Sequence, residues 1–146
     1  MPIIDWNNTY SLGIEQIDDH HRHLVALLNT AYDVFVGQGH KVEIEELVEE
    51  LINYATYHFA AEEQLMSRYD YIGTEAHIKQ HENFIRQIKT FQKELLDGRK
   101  TLTLELIVFL KDWLLDHISK SDRAYVDAIG IKIQKDLFQG VQLNLI

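Results

Sequence analysis

The chain has no cysteine, which excludes disulfides, thiolate metal sites, iron–sulfur clusters and cysteine nucleophiles. It has one proline, Pro2, so every later residue is free to be helical. No apolar run reaches membrane-spanning length, and the first residues, Met1 to Trp6, lack the basic start and apolar core of a secretory signal. We therefore expect a soluble, cytoplasmic protein. Positive charge is scarce: 14 Lys and Arg stand against 23 Asp and Glu, a formal net charge of −9. No basic cluster offsets it, so neither nucleic acid nor a membrane is an expected partner.

What the chain does have is histidine, eight in 146 residues. That length fits one domain with a sizeable core. The central stretch is His58-Phe59-Ala60-Ala61-Glu62. Around it Leu47, Leu51, Tyr54, His58, Glu62 and Leu65 recur at spacings of three and four, a buried helix stripe. An imidazole and a carboxylate on such a seam would cost roughly 2–7 kcal/mol each if unpaired. A buried His–Glu hydrogen bond and a metal ion both answer that cost, and the rest of the chain decides between them.

Residues 1–16 have no sustained period and read as an extended arm across the domain. Asp18 reads as the N-cap of a first helix to about Val36, with Ile17, His21, Leu24 and Leu28 facing inward. Gly37 and Gly39 end it. A second helix spans about Val42 to Arg68. Gly73 and Thr74 mark a break and a new N-cap. A third helix, about Glu75 to Leu96, carries His77, His81, Phe84, Ile88, Phe91 and Leu95 in one stripe, and Gly98 stops it. Thr101 or Thr103 caps a fourth, through Leu106, Leu110, Trp113 and His117 to about Ala128, where Gly130 closes it. The expected class is all-α: an up-down-up-down antiparallel four-helix bundle over residues 1–130, with an N-terminal arm. Residues 131–146 form a short C-terminal tail, apolar enough to dock on the domain or on a partner. Val141 to Ile146 alternates like a strand, which raises contact with a second copy.

Antiparallel packing puts the start of helices one and three and the end of two and four at the same end. At about 1.5 Å rise per residue, His21 lies about 5 Å inside that end, and His77 and His81 about 3–10 Å. His58 and Glu62 lie about 9–15 Å inside, and His117 and Asp122 about 9–17 Å. The four helices thus aim five histidines and two carboxylates at one level. Seven ligands exceed one tetrahedral zinc and suit two metals bridged by the carboxylates. Imidazole and carboxylate without thiolate suit iron, and also manganese or zinc. Between His77 and His81 there is no glutamate, so the HExxH protease pattern is absent. No histidine has Glu three residues before it, so neither is the ExxH pattern of ferritin-like oxidases. His23 and His40 read as solvated. His20, about 100° round the helix from His21, reads as a neighbour of the site or a surface residue and not a ligand. His117 and Asp122 are five apart, about 140° on an ideal helix, and share a site only if the turn is widened, as by a π-bulge, or the Asp side chain bends inward from the last turns.

In this order the motifs resemble those of the hemerythrin family, in particular its bacterial members. Gly13 to Leu24 is similar to the family's opening helix motif, with His21 at the ligand position and His20 where Gln is usual. His58-Phe59-Ala60-Ala61-Glu62-Glu63 is similar to HFxxEE, His77 and His81 to HxxxH, and Trp113 to Asp122 to WLxxHIxxxD. The resemblance spans about residues 3–128. It implies two iron ions: one held by His77, His81 and His117, the other by His21 and His58 with an open position. Glu62 and Asp122 would bridge them together with an oxo or hydroxo group. Dioxygen would bind reversibly at the open iron, with Trp113 and Leu114 at its pocket. The implied role is oxygen carriage, storage or delivery, not catalysis. A sensory module, or peroxide or nitric oxide scavenging at the same site, is the alternative.

Overall fold

A computed structural model of the chain describes residues 2–37, 41–98 and 104–145. Four long helical stretches run antiparallel: α1 (Glu15–Val36), α2 (Lys41–Arg68), α3 (Thr74–Leu96), and a fourth built from three consecutive pieces. Those pieces are α4 (Leu104–Asp116), a π-helical segment (His117–Asp122) and α5 (Arg123–Phe138). α1 packs on α2 and α4, and α2 on α3. No strand occurs among the described residues, and no helix among them is long and apolar enough to cross a membrane. The expected bundle is the observed one. The expected Thr101 or Thr103 cap, the Gly39 stop and the His40 loop lie outside the described residues.

The core divides in two. One apolar cluster, including Leu24, Ile52, Phe59, Phe84, Leu110 and Ile118, fills most of the bundle. A second, with Ile17, Leu65, Met66, Tyr125, Ile129 and Ile133, closes the other end. Along α1, α2 and the fourth helix the polar inward residues fall between the two. His21 lies between Ile17 and Leu24, Glu62 between Phe59 and Leu65, and Asp122 between Ile118 and Tyr125.

The N-terminal arm does lie across the domain. Ile4 is buried, and Asn29 clamps its backbone, accepting from the Ile4 N–H at 2.9 Å and donating to the Ile4 carbonyl at 3.0 Å. A 3-10 turn follows at Asn8–Tyr10. α1 starts three residues before the expected Asp18, with Ile14 at the cap position and no side-chain cap bond. Asp18 instead faces backward from inside the first turn. Its carboxylate accepts from the backbone N–H groups of Leu12 (2.8 Å) and Gly13 (3.2 Å) and from the Ser11 hydroxyl (3.1 Å). It ties down the approach to the helix, a task that falls to a buried carboxylate with three donors as naturally as to an N-cap.

The fourth helix also differs from expectation: it runs ten residues past Ala128, to Phe138. Gly130 does not end it and is buried within it. A glycine inside a helix costs about 1 kcal/mol relative to alanine, but Ile129 and Ile133, one turn apart, both bury in the second cluster and outweigh that. The stop is Gly140, whose φ of +83° an L side chain resists. The last stretch forms no strand. It folds onto its own bundle, with Leu143 only 7% exposed in the second cluster and Leu145 packed beside it.

Because Asp18 satisfies three donors in a buried setting, Asp18→Ala should destabilise the fold by about 1–3 kcal/mol. For a domain of this size that is a fall of several degrees in Tm, read by thermal melting. An unchanged Tm would mean that the Leu12–Gly13 approach is held by packing alone.

Candidate metal centre

Each helix delivers its polar side chains for a local reason. His58 and Glu62, and likewise His77 and His81, are four apart and share one face of a regular helix. His117 and Asp122 are five apart, and the backbone between them is the π-helical segment. The wider π turn brings a five-residue spacing onto one face, the widening that this pair demanded. His21 comes from the second turn of α1.

The seven side chains are each at most 4% exposed. They form two sets that share two members. Glu62, His77, His81, His117 and Asp122 each offer one ligand atom, and these lie within 4.8 Å of one another. His21, His58, Glu62 and Asp122 make the second set on the same measure. Asp122 Oδ1 is 3.1 Å from Nε2 of both His77 and His117, while its Oδ2 is 3.0 Å from His21 Nε2. Glu62 Oε1 is 3.2 Å from His58 Nε2 and 3.4 Å from His81 Nε2. The sequence reading named all seven, and the structure brings all seven together.

Several of these atoms have close neighbours but no hydrogen bond. Both nitrogens of His21, His77 Nε2, Glu62 Oε1 and both oxygens of Asp122 are buried without a hydrogen-bond partner, though His21 Nε2 and Asp122 Oδ2 are 3.0 Å apart. The groups converge without pointing N–H at oxygen. Six orphaned polar atoms in one dry core would cost several kcal/mol, and nitrogen and oxygen donors turned toward common points fit bound cations. The 3.0 Å between the Nε2 atoms of His81 and His117 is also about what two donors roughly 2.1 Å from one ion show at a right angle.

Electrostatics agree. Burial and the charge of Asp122 push Glu62 up, but His58 and His81 outweigh them and hold its carboxyl down at about 2. Burial likewise opposes ionisation of Asp122, and His117, His21 and His77 together hold it well below the usual carboxylate range. Both carboxylates are therefore charged. Burial lowers His58 and His81. Burial also acts against protonated His117, but the Asp122 carboxylate wins and raises it.

The outer nitrogens of three rings have partners that fix them, whereas His21 Nδ1 has none. If Nε2 of each ring is to stay bare toward the centre, Nδ1 carries the proton and needs an acceptor. His117 Nδ1 has the Gln80 Oε1 at 3.1 Å, which also accepts from the Ser121 hydroxyl at 2.7 Å. His81 Nδ1 has Glu63 Oε2 at 3.4 Å. His58 Nδ1 has His20 Nδ1 at 2.9 Å. Burial, then the neighbouring His58 and His21, push His20 down to about 4, so it is a neutral ring able to accept. This places His20 beside the site and not among the seven, as expected. His23 is exposed, with its ring against Tyr54.

Tyr125 and Gln80 escaped the sequence reading. Tyr125 is fully buried and its hydroxyl donates to Glu62 Oε2 at 2.7 Å. Burial, then the charges of Glu62 and Asp122, raise its pKa far above the ordinary phenol value, so it stays a donor. Its signal was its place three residues after Asp122, one turn along the same face. Trp113 stacks on His117, ring centroids 4.4 Å apart at 12°. Trp113 and Leu114 also line a small apolar cavity of about 20 Å³, room for one water-sized molecule. Leu24, one turn from His21, and Phe59, next to His58, share that lining.

A family model described as the hemerythrin HHE cation binding domain matches residues 12–129. A bacteriohemerythrin of Pseudomonas paraeruginosa is 37% identical over 124 residues, covering 85% of this chain and 80% of its own length. One from Clostridium acetobutylicum is 29% identical over 126 residues, covering 84% of this chain and 98% of its own. A wild-type hemerythrin crystal structure superposes with a TM-score of 0.79 at 27% identity, covering 84% of this chain and 95% of the other. Two converging ligand sets in a four-helix bundle, and these likenesses over most of the length, lead to one conclusion: the chain belongs to the hemerythrin family.

Proposed function

We propose that this chain binds dioxygen reversibly at a non-haem di-iron centre and serves oxygen carriage, storage or delivery in the cytoplasm. The observation that carries the reading is the pair of ligand sets sharing Glu62 and Asp122, with six of their buried polar atoms left without hydrogen bonds. His77, His81 and His117 would hold one iron and His21 and His58 the other, with Glu62 and Asp122 common to both. Two irons held there would supply the electrons for reversible dioxygen binding, one from each metal.

The protein's own part is to orient and to exclude. Gln80, Glu63 and His20 fix three of the imidazoles through their outer nitrogens. Tyr125 holds one oxygen of Glu62 and leaves Oε1 to the centre. The two-histidine side has fewer protein donors, which is where a diatomic ligand would find room. Leu24, Phe59, Trp113 and Leu114 wall a small apolar cavity beside His81 and His117, on whose rings Phe59 and Trp113 stack, and a water-excluding pocket discourages proton leakage.

Metal analysis of protein from iron-replete cells should give two irons per chain and no tightly held zinc. One metal per chain, or none after reconstitution, would sink the di-iron reading. Ligand substitutions should divide by role. His58→Ala should impair oxygen binding at the open iron, whereas Asp122→Ala or Glu62→Ala should disturb both metals. Asp122→Ala with two irons and normal oxygen binding would mean that the π segment places no ligand. The reduced protein should gain an absorption band in oxygen that disappears on deoxygenation. Rapid mixing that finds slow oxygen release beside fast peroxide or nitric oxide consumption would turn the assignment from carrier to scavenger.

A further inference from the structure

We infer that residues 130–145, outside the stretch that carries the family match, form a latch that holds Tyr125 against Glu62 and so governs how long the centre keeps its ions. The inference rests on the metal-binding reading above and adds to it a role for a segment that contains none of the seven ligands.

The latch closes the end of the bundle nearest the centre and is tied to two other elements. Toward the start of α1, the Gln134 side chain donates to the Gly13 carbonyl, next to the backbone that Asp18 secures. Toward the end of α2, the Tyr69 hydroxyl donates to Asp136 at 2.6 Å and the Arg68 guanidinium to the Leu143 carbonyl at 3.2 Å. Within the segment, the Val141 N–H donates to the Asp136 carbonyl at 2.9 Å, so the reversal at Gly140 is locked. Leu143 and Ile133 then bury in the cluster that contains Tyr125.

Tyr125 is the point where this packing meets the centre. Its ring is buried in that cluster with its edge to the His77 ring, centroids 5.5 Å apart, and its hydroxyl donates to one oxygen of a shared carboxylate at 2.7 Å. A hydrogen bond to a charged, buried acceptor is among the stronger kinds. It fixes the rotation of Glu62, and with it the direction of Oε1 toward His58 and His81. If Leu143 leaves the cluster, the packing that holds Tyr125 loosens, water reaches its hydroxyl, and Glu62 is free to turn. Partners of this kind that orient ligands typically account for about 10–100-fold in metal affinity.

The test follows ion release from full-length protein loaded with iron, and separately with cobalt(II), into excess chelator. Five forms are compared: wild type, Leu143→Ser, Tyr125→Phe, their double variant, and Ile88→Ala. Ile88 lies in the other core cluster, so Ile88→Ala loosens the bundle without touching the latch. Melting of each metal-free form gives its Tm. We expect release about tenfold faster in Leu143→Ser and in Tyr125→Phe, with the double variant no faster than the faster single. Ile88→Ala should lower Tm yet release within about twofold of wild type. A chain truncated after Gln139 should match Leu143→Ser. Release from Leu143→Ser no faster than from Ile88→Ala, or effects that multiply in the double variant, would overturn the latch and leave ordinary packing. Wild-type protein that holds neither ion would overturn the metal reading itself, a result distinguishable because it appears before any substitution is made.

Discussion

Everything in this bundle is arranged around keeping two ionised carboxylates, Glu62 and Asp122, inside a dry core. Neither is exposed, and burial alone would drive both to the neutral form. They stay charged because five imidazoles crowd them, and the crowding is possible only because four helices reach the same level. The apolar clusters above and below follow from that. They shut out water on both sides, which makes each uncompensated polar atom costlier and strengthens every interaction among those that are paired. The same dryness that threatens the fold makes the site selective for a ligand that brings positive charge.

The π-helical segment shows how local backbone and site depend on each other. On a regular helix His117 and Asp122 would diverge by about 140°, and Asp122 would leave the core. A continuous π stretch over six residues turns them to one side, at the cost of poorer helical packing between α4 and α5. No proline or glycine lies between Asp116 and Arg123, so no chain-breaking residue accounts for the distortion. The segment instead places Asp122 within 3.1 Å of His21, His77 and His117, the convergence that a regular helix would deny it.

Legibility in the sequence followed this division of labour. The ligands could be read because they are polar residues at apolar-stripe positions, and helix rise converts position into depth; the five-residue spacing even announced its own irregularity. Asp18 was harder, since a carboxylate near a helix start has several backbone N–H groups within reach, and tertiary context chose those of Leu12 and Gly13. Gly130 misled because its intrinsic cost is small beside the burial of Ile129 and Ile133. A helix that ends at Gly130 has Tyr125 in its last turns, near the margin of the domain. Tyr125 is in fact the residue joining the second cluster to Glu62. Tail alternation was real, but one buried leucine against its own bundle satisfies it without a strand partner.

The outer nitrogens carry an asymmetry between the two proposed ions. On the three-histidine side one acceptor, Glu63, is a carboxylate, and a second, Gln80, accepts from both His117 and Ser121. A negative acceptor makes its imidazole a better donor to metal. On the two-histidine side His58 leans on His20, a neutral ring at about 4 that accepts more weakly and, once it accepts, must carry its own proton on the far nitrogen. The His20 ring lies beside Tyr54 and Tyr57, with ring centroids 5.9 and 5.1 Å away. The position with fewer protein ligands thus also has the less charged support. Under the proposed function, an ion held there would keep more of its affinity for an added ligand, and the ion opposite would serve as the fixed half of the pair.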